Sequence, residues 1–169
     1  MDRLWAPWRK AYIRPSAQRA KGCLFCRLLA ANRDGAHYIL KRSRNSFAVL
    51  NLYPYNNGHA MIVPKRHLDS VHALTDEEKL DWLDLYDDVL SAIKKAMRPH
   101  GFNVGINIGR VGGAGVPHHL HLHIVPRWKG DSNFMPVISR TKVISESLDS
   151  VYKILTKNLK GTIKKKIKR

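Results

Sequence analysis

Three histidines alternate with apolar residues in the segment His119-Leu120-His121-Leu122-His123-Ile124-Val125. In an extended strand, alternate side chains point to opposite faces. His119, His121 and His123 then share one face, with successive rings about 6.6 Å apart. Leu120, Leu122 and Ile124 share the other and pack on a core. Such a row of imidazoles over an apolar back is the wall of a site. Two chemistries suit it. His-x-His spacing fits a zinc ion. Equally, an imidazole is largely neutral near pH 7 and can attack phosphorus without a separate base, while its neighbours hold developing charge. A surface strand of neutral histidines is the third reading.

A second constellation is Cys23-Leu24-Phe25-Cys26, holding both cysteines of the chain. Cys-x-x-Cys is half of a zinc site and needs two further ligands from elsewhere. A pair of reduced thiols in a short buried helix, or a redox pair, are the other readings. No thioredoxin-like βαβ pattern surrounds the pair.

A glycine-rich run precedes the histidines: Gly105, Gly109, Gly112, Gly113 and Gly115. Backbone of this kind approaches a ligand closely and aims N–H groups at phosphate oxygens. No Gly-Lys-Ser/Thr follows, so it is not a Walker loop. A strand and not a helix comes next, which excludes a dinucleotide-binding turn. A flexible hairpin is its structural alternative.

The elements that must position these residues follow from local signals. Residues 23–31 read as a short helix ending near Asn32. Residues 46–52 read as a strand, 53–58 as a turn set by Pro54 and Asn57-Gly58, and 59–63 as a strand stopped by Pro64. Thr75 and Glu78 form a capping box. The helix behind it carries Leu80, Leu83, Tyr86, Val89, Leu90, Ile93 and Met97 at helical spacing, and Pro99 and Gly101 end it. Its early acids suit the helix dipole and are expected to form a solvated face. Residues 103–109 read as a strand, 110–118 as the glycine loop, 119–125 as the histidine strand closed by Pro126, and about 142–159 as a final helix. Strands joined by short turns, with one long helix between pairs, predict an α+β fold on an antiparallel sheet.

The 169 residues suit one domain, with 44% apolar residues to fill its core. The basic tail from about residue 157 is expected to be a solvated extension. Thirty Lys and Arg against thirteen Asp and Glu give a net charge of +17, which attracts nucleotides or nucleic acid. The first 22 residues hold no apolar run of signal-peptide length, and no window approaches a membrane span. A cytoplasmic protein without a membrane partner is expected. Trp5, Trp8 and Tyr12 read as anchors of the N-terminal segment, and Trp82 as a packing residue. Arg127 reads equally as a phosphate contact or a surface charge. His37, His72 and His100 have no evident partner.

The histidine segment resembles the signature of the histidine triad (HIT) superfamily. The resemblance extends to Phe47-Ala48-Val49-Leu50-Asn51, Asn57-Gly58-His59-Ala60-Met61-Ile62-Val63-Pro64, Arg66-His67 and Asn107-Ile108-Gly109. Pro126-Arg127-Trp128, Gly130-Asp131-Ser132-Asn133-Phe134 and the N-terminal Leu4-Trp5-Ala6-Pro7-Trp8-Arg9 are similar to one branch. That branch holds the Fhit-like hydrolases and the bacterial diadenosine tetraphosphate phosphorylases. The resemblance covers roughly residues 4–155. It implies about five strands, a long helix between strand pairs, a C-terminal helix and a homodimer. It also implies an enzyme with a covalent nucleotidyl-histidine intermediate on dinucleoside polyphosphates, His121 being the nucleophile and His123 the phosphate holder. Asn51, His59 and Asn107 fall on positions that line the nucleotide pocket, beside Gly113 and Gly115 of the loop. It further implies a structural zinc on Cys23, Cys26, His67 and His119, with no cofactor needed for the chemistry. Hydrolysis of nucleoside phosphoramidates or AMP esters, and deadenylation or binding of nucleic acid ends, are the alternatives. One departure is Gly115-Val116-Pro117-His118, where relatives carry a hydroxyl or amide side chain. Val116 and Pro117 offer neither; His118 could protonate the leaving group only if the loop turns there, since strand parity places it opposite His119.

Overall fold

The computed structural model describes residues 22–132 and 144–160. Element order is α1 (Leu24–Ala31), β1 (Ile39–Arg42), β2 (Ser46–Leu50), β3 (Ala60–Pro64), α2 (Asp76–Met97), β4 (Gly101–Ile106), β5 (Leu122–Arg127) and α3 (Leu148–Lys160). The five strands form one antiparallel sheet in the order β1-β2-β3-β5-β4. The α+β architecture expected from the strand and helix pattern is the one present. No helix among the described residues is long and apolar enough to cross a membrane.

One face of the sheet carries the larger core. Leu85, Val89 and Ile93 of α2 and Val151, Leu155 and Leu159 of α3 bury against Ala48, Ile62 and Ile124. Each full aliphatic burial contributes about 1.5–3 kcal/mol. The other face carries a smaller cluster of Phe25, Ile39, Phe47, Val49, Met61 and Val63 under α1. Helix α2 starts at the expected capping box: Thr75 Oγ1 accepts from the Glu78 N–H, and Glu78 Oε2 accepts from the Thr75 N–H. It ends one turn before Gly101, through a left-handed Arg98 at φ 48°. Trp82 is buried, its indole N–H donating to the Ile62 carbonyl at 3.0 Å. Gly58 has φ +73°, and a Cβ there would lie 2.7 Å from Met97 Sδ. The positive φ is what asks for glycine in the turn into β3, since the flexible Met97 side chain could give way to a Cβ.

Several boundaries differ from the sequence pattern. The histidine strand begins at Leu122, not at residue 119, and runs on to Arg127. Upstream, the Leu120 N–H donates to the Leu68 carbonyl at 2.6 Å and the His119 N–H to Val116. These bonds take the place of the ladder. Pro126 lies inside β5. The β3–β5 pairing ends at Ile124, so Pro126 needs no donor on that side. Pro64 likewise pairs as the last residue of β3. β2 stops at Leu50 and β4 spans Gly101–Ile106. α3 starts at Leu148, where the Ser147 hydroxyl accepts from the Ser150 N–H, and residues 142–143 lie outside the described residues. β1 carries no clear alternation in sequence. It is only four residues long, has a register shift between Ile39 and Lys41, and follows a left-handed Tyr38 at φ 54°. The acidic helix face is more than a solvated one. Asp88 pairs with Lys41 at 2.7 Å, Glu78 with Arg66 at 2.7 Å, and Asp81 accepts from Ser43 Oγ at 2.6 Å. Trp5, Trp8 and Tyr12, with the tail beyond residue 160, lie outside the described residues.

Candidate active site and metal cluster

The histidine row keeps its predicted sidedness although its first half is not in the ladder. Leu120, Leu122 and Ile124 enter the larger core. His119, His121 and His123 are buried on the α1 side. His121 and His123 line a cavity of about 510 Å³ together with Asn51, Tyr55, Gly113 and Gly115. His121 and His123 rings lie edge to face, 4.9 Å between centroids.

The hydrogen bonds assign the protons. His121 Nδ1 lies 2.7 Å from the His119 carbonyl. A carbonyl only accepts, so Nδ1 carries the proton. In the neutral ring, Nε2 then holds a lone pair, and no described residue hydrogen-bonds to it. Burial lowers the His121 pKa, the largest effect, while the His119 carbonyl opposes it. The neutral, nucleophilic form is thereby favoured. His59 gives the matching assignment for His123. His59 Nδ1 accepts from the Tyr55 N–H at 3.1 Å, so its own proton sits on Nε2. That Nε2–H donates to His123 Nδ1 at 2.9 Å. His123 must then carry its proton on Nε2, as a donor beside the nucleophile. Burial, followed by His123 and His121, pushes His59 down to about 3, which keeps the relay neutral.

His119 turns the other way. Its Nε2–H donates to the Pro64 carbonyl at 2.9 Å, leaving the Nδ1 lone pair free. That atom lies 3.2 Å from Cys23 Sγ and 3.6 Å from Cys26 Sγ, and His67 Nδ1 lies 3.4 Å from Cys26 Sγ. All four ligand atoms fall within 4.8 Å of one another. Zinc with Zn–S of about 2.3 Å and Zn–N of about 2.1 Å places tetrahedral S and N ligands roughly 3.6 Å apart. The donor set and spacing therefore fit such an ion, and the Pro64 carbonyl supplies the outer contact that fixes a metal-bound imidazole. Burial, then Cys23, raises the Cys26 pKa, an unfavourable crowding that a divalent cation would offset.

Other sequence candidates fall in different places. Asn51 borders the cavity, and its Oδ1 accepts from the Tyr53 N–H at 2.9 Å. Asn107 is not a cavity residue; its side chain braces the glycine loop through the Gly113 carbonyl at 3.5 Å. Gly113 adopts φ 89°, a conformation suited to glycine. His118 is exposed at a separate crevice with His72 and Arg110. Arg127 is tied to Asp131 at 2.6 Å and to Asn103 at 2.6 Å, away from the cavity.

Residues 35–130 match the model of the HIT domain. This chain belongs to the HIT family. An AP-4-A phosphorylase of Mycobacterium tuberculosis is 37% identical over 162 residues, covering 92% of this chain and 83% of that protein. An adenosine 5'-monophosphoramidase of Schizosaccharomyces pombe is 34% identical over 105 residues, covering 62% of this chain and 74% of that protein. A hypothetical histidine triad nucleotide-binding protein of Sulfolobus tokodaii shares the fold with a TM-score of 0.67 and 27% identity, over 82% of this chain and 92% of that one. Within this HIT fold, helix α1 contributes residues beyond the expected site. Phe25 is buried, 5.1 Å from the His121 ring and 5.4 Å from His119. Leu24 and Leu28 continue the same cavity wall, and His37 follows in the α1–β1 connection. The signal for Phe25 and Leu28 was helical spacing beside the cysteines. For His37 there was none.

Proposed function

We propose that this HIT protein transfers the nucleotidyl group of a dinucleoside polyphosphate through a covalent bond to His121. The carrying observation is the proton assignment: His121 Nδ1 is held by the His119 carbonyl, which leaves Nε2 to attack. Nε2 bonds to the α-phosphorus, and the Pα–O bond to the rest of the polyphosphate breaks. Water or inorganic phosphate then attacks the same phosphorus and frees His121. His123 donates to the phosphate oxygens through the proton that His59 forces onto Nε2. Gly113 and Gly115 bring backbone to the wall of the same cavity. Leaving-group protonation has no donor in the Val116-Pro117 run, which suits a leaving nucleotide that is already a good anion. Zinc on Cys23, Cys26, His67 and His119 would hold α1 to the loop before β5 and take no part in the transfer.

The relative named for AP-4-A phosphorolysis matches over most of both chains, which favours phosphate as acceptor. The phosphoramidase match is the second reading. Incubation with diadenosine tetraphosphate, with and without inorganic phosphate, separates them. Phosphate-dependent formation of ADP with ATP supports phosphorolysis. AMP without phosphate supports hydrolysis. Turnover of adenosine phosphoramidate alone would overturn the dinucleotide reading. β4 is an edge of the sheet with Val104 exposed at 43%. Pairing of two such edges gives the homodimer that belongs to this proposal.

A further inference from the structure

The cavity has two chemically different ends. Its polar lining is His121, His123, Gly113 and Gly115 and its apolar lining Leu24, Leu28, Val49 and Met61. Across the sheet His123 pairs with Met61, Met61 with Val49 and Val49 with Ile39, so the wall turns apolar from His123 toward β1, which begins two residues after His37. On the reading above, the α-phosphate occupies the first, so the base enters the second. Apolar walls grip the faces of any base and do not tell one from another. Discrimination needs a hydrogen-bonding group that meets the base edge.

His37 is such a group. It is half-buried and borders the cavity, and no described residue hydrogen-bonds to its ring. The segment bearing it is firmly held. The His37 N–H donates to the Arg33 carbonyl at 3.2 Å and the Ile39 N–H to the Asp34 carbonyl at 2.9 Å. Arg42 grips the Asp34 carboxylate at 2.7 Å and 2.9 Å and donates to the Leu29 carbonyl at 3.2 Å. That clamp joins the end of α1 to β1 across the His37 turn. A half-buried ring whose nitrogens no described residue bonds, on a preorganised support, is open to a ligand at little entropic cost.

We propose that His37 reads the edge of a purine base and gives this site its base preference. An imidazole offers a donor and an acceptor, and a purine presents both along its edge. A pyrimidine, one ring shorter and anchored by its phosphate at His121, stops short of this wall. The inference rests on the nucleotide reading of the cavity and adds the residue that selects the base.

The test compares wild type, His37→Leu and His37→Asn. AMP and UMP binding are measured by calorimetry, and turnover of diadenosine and diuridine tetraphosphates by steady-state kinetics. Wild type should favour the purine ligand in both assays. His37→Leu should weaken AMP binding and raise KM for the adenine substrate about tenfold, with kcat within about twofold and UMP binding unchanged. His37→Asn, which keeps a donor and an acceptor, should recover part of the preference. Thermal melts of the variants should match wild type within a few degrees. An AMP-to-UMP ratio equal in wild type and His37→Leu overturns the role of His37 and leaves the nucleotidyl-transfer reading intact. Failure of wild type to bind either nucleotide or turn over either substrate overturns both.

Discussion

The same short segment, residues 119–124, faces two unlike surroundings. Its even-numbered side chains, Leu120, Leu122 and Ile124, sit in a continuous apolar core beneath α2 and α3. Its odd-numbered side chains are three buried imidazoles beneath α1. Burial of polar rings is costly unless their nitrogens are satisfied. Here each ring has at least one fixed partner: Pro64 for His119, the His119 carbonyl for His121, and His59 for His123. Each bond also decides which nitrogen keeps the lone pair. The apolar face therefore supplies stability, and the polar face sets protonation. Substitutions on the two faces should fail in opposite ways.

The largest contrast is expected at His121. His121→Ala should lower kcat/KM by roughly a thousandfold or more, because His119 and His123 both carry their protons on Nε2 and cannot replace it as nucleophile. Its unfolding free energy should change by only about 1 kcal/mol. Retention of substantial turnover in that variant would remove the nucleophile from the scheme. Within the polar face, His119 differs from its neighbours by turning toward sulfur. Protein purified without added zinc should hold about one equivalent per chain. Its removal by a strong chelator should lower Tm by roughly 10 °C. Less than about half an equivalent would reject the site.

The mirror experiment uses the apolar face. Ile124 is fully buried between β3 and β4. Ile124→Ala should cost about 2–5 kcal/mol of stability in a urea melt. At a temperature where the variant remains folded, kcat should stay within a few-fold of wild type. Loss of turnover at full occupancy of the folded state would show that the two faces are not separable.

How much of this was legible depended on the range of the interaction. Alternation of His with Leu and Ile told which side chains share a face, even though residues 119–121 lie outside the strand. Burial, and not ladder hydrogen bonding, enforces that alternation. The capping box at Thr75 and Glu78 was equally plain because its partners are three residues apart. β1 was not legible, since its four residues owe their extension to pairing with β2. The roles of Asp81 and Asp88 depend on Ser43, just after β1, and Lys41, within it, both more than thirty positions away. His37 was invisible for the same reason: only the fold carries it to the cavity. The metal cluster was reached through resemblance, and the distances now give it an independent footing. The site of Arg127 was open in sequence, and Asp131 closes it.

The smallest effect separates the faces by pH. His59 is held at about 3 in the folded protein, mainly by burial and then by His123 and His121, against about 6.5 for an unfolded histidine. Below pH 6.5 the unfolded ring takes up a proton that the folded ring refuses. The unfolded state is thus favoured progressively as pH falls from 6.5 toward 3. Between pH 7 and pH 5 this one group should withdraw about 2 kcal/mol of stability. His59→Gln keeps an N–H for His123 and an acceptor for Tyr55 but does not titrate. Urea melts at both pH values should therefore show a loss about 2 kcal/mol smaller in His59→Gln than in wild type. Contributions common to the two proteins cancel in the difference. Ile124→Ala, on the apolar face, should keep the wild-type pH dependence while losing stability at every pH. Equal losses in wild type and His59→Gln would mean that His59 is not kept neutral, and the proton placed on His123 Nε2 would lose its source.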